Sequence, residues 1–168
     1  NEILDLKPGF LSSCNGGMYD TNRAKMIRDK DGKQACPSNV SSKWYKAAKR
    51  IQVHTIREGS KNVLELGCGT GRYFPFIHTE NLYGMDGSIE MLEEAKNHWG
   101  SKGTYKKLHL IRDSFDSFFE RKEYQNKFDY IFSLGTVGNS TFLDDSNNFY
   151  EFCKSLPKLC ISGGVIEF

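Results

Sequence analysis

The stretch Val63-Leu-Glu-Leu-Gly-Cys-Gly-Thr-Gly-Arg72 limits what this chain can fold into more than any other part of it. Val63, Leu64 and Leu66 form a short apolar run suited to a buried strand, and Gly67, Gly69 and Gly71 follow at alternating positions. Glycines there permit positive φ and let a ligand approach the main chain where a side chain would block it. A helix opening at the end of the turn, expected over about Gly71 to Ile77 with Pro75 tolerable within its first turns, would present free N–H groups to that ligand. A nucleotide-like molecule suits such a place. Glycine turns also serve tight packing, so the turn alone leaves a purely structural role open.

A second element narrows the choice. Asn81 to Asp86 is another apolar strand, through Leu82, Tyr83 and Met85, and it ends in a carboxylate 19 positions after Gly67. In an open parallel sheet, an acid at the tip of the neighbouring strand can accept hydrogen bonds from both ribose hydroxyls. The spacing fits an adenosine ligand.

Glu65-Leu-Gly-Cys-Gly-Thr-Gly71 followed by Gly84-Met-Asp-Gly-Ser-Ile-Glu-Met-Leu92 resembles the class I S-adenosylmethionine-dependent methyltransferases, over roughly Val63 to Phe168. The alternative is a dinucleotide-binding domain, whose fingerprint places its last glycine three residues after the second. Here Gly71 lies two after Gly69. The resemblance implies S-adenosylmethionine as cofactor and S-adenosylhomocysteine as product. It implies that Glu65 orients the methionine end and that Gly67, Gly69 and Gly71 admit the ligand, with Cys68 and Arg72 in the same cofactor-binding turn. Asp86 would take the ribose hydroxyls, while Gly87, Ser88, Met91, Asp113 and Ser114 would surround the adenine. Ser133 and Leu134 would border the sulfonium, and Tyr19, of a Tyr-Asp pair, would lie in a segment folded over the cofactor. For Asp113 a second role, capping a helix near Ser117, stays open, and Tyr19 is equally well an ordinary surface tyrosine.

The remaining chain supplies the frame. Its 168 residues suit one domain, and a net charge of +2 makes no case for a nucleic-acid surface. Residues 1–40, rich in glycine and proline, read as a cover segment with one short helix near Thr21 to Arg28, and 41–168 as the cofactor-binding core. A helix from Ser41 or Ser42 to Glu58 has a serine cap and Gly59 as its stop, with His54 on its packed face. Ser88 caps a helix to about Trp99, strands follow at Leu108 to Ile111 and Phe128 to Leu134, and a last helix spans Asp144 to Leu159 before a fifth strand at Val165 to Phe168. Right-handed crossovers then give a three-layer, Rossmann-like α/β fold, its sheet mostly parallel in the order 3-2-1-4-5.

The resembled family closes its sheet with two further strands that this chain lacks. The expectation is therefore that the native chain continues past Phe168, or that another subunit pairs along the fifth-strand edge. Five scattered cysteines suggest neither a disulfide framework nor a metal site, and without a signal sequence or long apolar span the expected setting is cytoplasmic, with no membrane partner. No Asp-Pro-Pro-Tyr or Asn-Pro-Pro-Tyr run follows the fourth strand, so base methylation of nucleic acid is unsupported. The expected acceptor is a small molecule. A protein or RNA acceptor, or an inactive cofactor-binding subunit, are the alternatives. No catalytic residue is assigned.

Overall fold

Strand residues here are apolar on both faces, and helices cover both, which is the condition for a parallel sheet. The computed structural model describes residues 2–6, 21–35, 37–134, 136 and 145–168. In chain order the elements are β1 (Ile3–Asp5), α1 (Thr21–Gln34), α2 (Lys43–Glu58), β2 (Asn62–Leu66), β3 (Thr79–Asp86), α3 (Ile89–Trp99), β4 (Tyr105–Arg112), α4 (Phe115–Phe119), β5 (Phe128–Phe132), α5 (Ser146–Leu159) and β6 (Cys160–Glu167). All six strands join one parallel sheet in the order β1-β4-β3-β2-β5-β6. This α/β, Rossmann-like sheet differs from the expected five-strand order by one addition. The tripeptide β1 pairs with β4, Ile3 opposite Leu110, outside the strand that was expected to be the edge.

Alternation along the strands sorts the core into two layers. Val63, Leu82, Leu108, Leu110, Tyr130 and Phe132 face α2 and α3, together with Ala48, Ile51, Leu92 and Ala95. Leu64, Leu66, Tyr83, Met85, Ile111, Phe128 and Ile131 face α4 and α5, together with Phe118, Phe152 and Leu156. The α2 boundaries follow from their caps. Ser42 Oγ accepts from Tyr45 N, and Gly59 ends the helix in the left-handed region at φ 62°. His54 lies with its ring centroid 4.4 Å from that of Tyr130, a packing position.

Two expectations are corrected. No α-helix begins at Gly71: residues 69–73 form turns, and a single 3-10 turn, Phe74–Phe76, follows. A helix starting at Gly71 would bring the Pro75 ring against the Gly71 carbonyl four residues back. The N-terminal helix is also longer than expected, reaching Gln34 instead of Arg28. Its sequence has little apolar periodicity, and charge helps to fasten it. Arg28 donates to Glu94 of α3, and Arg72 Nη2 lies 2.8 Å from Asp31 Oδ1. The outermost strand on the other side, β6, leaves Ile161 and Val165 exposed.

Among the described residues there is no helix long and apolar enough to cross a membrane and no acid, histidine or cysteine cluster that would hold a metal. Cys68, Cys153 and Cys160 are free thiols.

Candidate cofactor site

Parallel strands bring their carboxyl ends to one side, and register brings four of these tips together. Leu66 pairs with Met85, Asp86 with Arg112, and Glu65 with Phe132. Gly67 N and Cys68 N both donate to Met85 O, at 2.7 and 3.0 Å, folding the glycine turn back over β3. Gly67, Gly69 and Gly71 have φ of 70°, 55° and 76°, the left-handed conformation that residues with side chains rarely adopt.

Asp86 ties this arrangement together. Its Oδ2 accepts from Gly69 N at 2.8 Å and its Oδ1 from Ser88 N at 2.9 Å. The lone acid at the tip of β3 therefore fixes both the glycine turn and the start of α3, where Ser88 Oγ caps Met91 N. Burial pushes the Asp86 carboxyl up, and the amides of Ser88, Gly69 and Gly87 act against that shift.

The N–H groups of Gly67, Cys68, Gly69 and Gly71 are bonded within the protein. With no helix opening at Gly71, the row of helix N–H groups expected there is absent. Met91 Cε already stands 3.2 Å from where a Cβ on Gly69 would sit.

Glu65 is 2% exposed, on the α2 side of β2, and its Oε2 has no hydrogen-bond partner among the described residues. Burial pushes its carboxyl well above the usual range although Arg72 pulls the other way. Cys68 is buried, and its thiol is pushed well up, so it is a neutral packing group at pH 7 and not a nucleophile. Arg72 lies over the Trp44 ring at 3.9 Å from its centroid, as well as on Asp31.

The tips of β4 and β5 complete the rim. Asp113 is buried; its Oδ1 accepts from Ser114 N, and its Oδ2 from Arg121 Nε. Ser114 caps α4 through Ser117 N, so the capping role that was open for Asp113 falls to its neighbour. Ser133 Oγ donates to Leu66 O at 2.9 Å, and Leu134 is half-buried beside the α2-side core. Gly87 lies between Asp86 and Ser88, its carbonyl 3.5 Å from Arg112 Nε. Tyr19 lies outside the described residues.

Three neighbours of the turn carried no sequence signal. Trp99 Nε1 donates to Thr70 O at 3.1 Å from the far end of α3. Thr136 Oγ1 donates to Leu66 O and Gly67 O, at 3.3 and 3.2 Å, and lies 2.0 Å from where a Gly67 Cβ would be. Asp31 comes from α1. All three are set by tertiary contact, which no local spacing reports.

Residues 63–156 match the family described as methyltransferase domain, more than half of the chain. A search of curated proteins gave no match. Among solved structures, an S-adenosylmethionine-dependent methyltransferase from Clostridium acetobutylicum is similar with a TM-score of 0.60 at 22% identity, covering 84% of this chain and 56% of its own. DesVI from Streptomyces venezuelae is similar with a TM-score of 0.58 at 16% identity, covering 88% and 56%. CalS10, an amino pentose methyltransferase from Micromonospora echinaspora in a structure with S-adenosylmethionine bound, has a TM-score of 0.58 at 18% identity, covering 88% and 55%. The chain thus spans just over half the length of these proteins, and at such identities the likeness is one of fold. With the family match across the turn, the acid and the strands around them, this chain belongs to the class I S-adenosylmethionine-dependent methyltransferases.

Proposed function

We propose that the protein transfers the methyl group of S-adenosylmethionine to a small-molecule acceptor by in-line displacement. The observation that carries this reading is Asp86, at the one strand tip that also holds the glycine turn. A carboxylate has about four lone-pair sites. Gly69 N and Ser88 N use two of them and the Gly87 amide also acts on the carboxylate, so acceptor capacity for at least one ribose hydroxyl is left over. The residues fit the cofactor on one further count, a buried Glu65 oxygen lacking a partner among the described residues; the space that side chains at Gly67, Gly69 and Gly71 would take is already held by Thr136, by Met91, and by Phe74 with Trp99.

In this reading Glu65 takes the methionine end, Gly87, Ser88 and Met91 flank the adenine with Asp113 and Ser114, and Ser133 and Leu134 border the sulfonium. When bound, the cofactor supplies an electrophilic methyl and a neutral thioether leaving group. The chain's own contribution is alignment, holding the nucleophile about 3 to 3.5 Å from the methyl carbon, so a dedicated base is not required. The fold shared with CalS10 supports a small acceptor, because that protein is an amino pentose methyltransferase. Calorimetry with S-adenosylhomocysteine tests the binding half, and a radiolabelled-methyl screen against metabolite fractions tests the transfer half. Label passing only to protein or RNA fractions would refute the small-molecule acceptor, and no binding would refute the cofactor assignment.

A further inference from the structure

We propose that Arg72, held by Asp31 of α1 and the ring of Trp44, is the counter-ion for the carboxylate on the amino-acid half of the cofactor, which makes α1 part of the binding site. This rests on the cofactor reading above.

The guanidinium is mostly enclosed, and only one of its three nitrogens is accounted for. Nη2 meets Asp31 at 2.8 Å, while Nε and Nη1 are buried with no hydrogen-bond partner among the described residues. Leaving donors of a charged group unmet in the interior is costly, so such donors mark a place where an acceptor belongs. The guanidinium plane cannot swing freely to find one, because it is stacked 3.9 Å from the Trp44 ring centroid.

The surroundings define the acceptor. Glu65, whose electrostatic neighbours include Arg72, Asp86 and Asp31, carries an orphaned Oε2, and the Tyr73 hydroxyl beside Arg72 and Glu65 is orphaned as well. An unmet carboxylate oxygen and two unmet guanidinium donors among the same neighbours match a group carrying an ammonium and a carboxylate on adjacent atoms. A phosphate would bring two negative charges beside the carboxyls of Asp31 and Asp86, and they would disfavour it. A planar carboxylate suits a guanidinium, and the neighbouring ammonium answers Glu65. Asp31 reaches this place because α1 is also fastened to α3 through Arg28 and Glu94.

Three ligands separate the parts of this claim: S-adenosylhomocysteine, its decarboxylated analogue, which keeps the amine, and 5′-methylthioadenosine, which lacks both groups. Calorimetry on the wild type should show S-adenosylhomocysteine binding between about 10-fold and 100-fold more tightly than the decarboxylated analogue. Arg72→Gln should abolish that preference and leave affinity for the other two within about 3-fold, since those bonds are not made to them. Arg72→Lys should recover part of the preference, and Asp31→Asn should lose part of it. Glu65→Gln should keep it, because the carboxylate partner is intact. Retained 5′-methylthioadenosine binding shows that each variant is folded. Equal wild-type affinity for S-adenosylhomocysteine and the decarboxylated analogue, or an Arg72→Gln loss shared by all three ligands, would overturn the assignment while leaving the cofactor reading standing. A wild type that binds none of the three would overturn both.

Discussion

Asp86 serves two purposes, and they predict different losses. Its carboxylate pins the glycine turn through Gly69 N and, in the proposed site, faces the ribose. Asp86→Ala should weaken S-adenosylhomocysteine binding by roughly 1 to 3 kcal/mol, as removal of a charged acceptor does; unchanged affinity in calorimetry would contradict the role. Glu65 yields a prediction in pH. Burial raises its folded pKa above the ordinary 4.5, so the folded state binds the proton more tightly than the unfolded one. Stability is therefore lost as pH rises from about 4.5 toward the folded value. Glutamine stays neutral throughout, so Glu65→Gln should melt above the wild type at pH 7, by roughly 2 to 4 °C for about 1 kcal/mol in a domain of this size. The gap should close near pH 4, and a melting difference that is the same at both pH values would count against it. Asp86 could be singled out by its spacing from Gly67, and Glu65 by the resemblance of the turn to its family. Their partners could not: nothing near Asp31, Trp44 or Trp99 in the chain says that the turn lies against them.

Elements with their own start and stop signals were the most legible. The Ser42 cap, the periodic face of α2 and Gly59 fix that helix without reference to the rest of the fold. After the turn, Pro75 sits too far in for a first-turn proline: a helix from Gly71 would set its ring against the Gly71 carbonyl, and only the 3-10 turn Phe74–Phe76 forms. Two glycines separate backbone strain from crowding. Gly59, at φ 62°, has open space around its missing Cβ, whereas a Cβ on Gly71, at φ 76°, would meet Phe74 at 2.6 Å and Trp99 at 2.8 Å. Gly59→Ala should thus cost about 1 kcal/mol from conformation alone. Gly71→Ala should cost about 2 to 4 kcal/mol, with overpacking added to strain. Denaturant midpoints measured side by side test the ordering, and equal costs would mean that the Phe74 and Trp99 rings give way.

At the scale of the molecule, the sheet order was legible from handed crossovers, including β6 beside β5, and the added edge strand β1 was not. β1 is three residues long, too short for any periodic signal, and exists as a strand because β4 offers it a partner. α1 lacks a strong apolar stripe and depends in part on Arg28 with Glu94 and Asp31 with Arg72. Glu94→Gln should therefore loosen α1 selectively. In native-state hydrogen exchange its amides should exchange roughly 5- to 30-fold faster, a change of about 1 to 2 kcal/mol, with the amides of β2 to β5 unmoved. Faster exchange across the whole sheet would instead show that α1 and the core open together.

Thr136 belongs to this largest scale as well. One hydroxyl reaches from the segment after β5 to two consecutive carbonyls at the end of β2, so two loops from different strands share a single clasp. Any guest that tightens the clasp from one side favours a guest on the other by the same factor, because coupling between two binding equilibria is reciprocal.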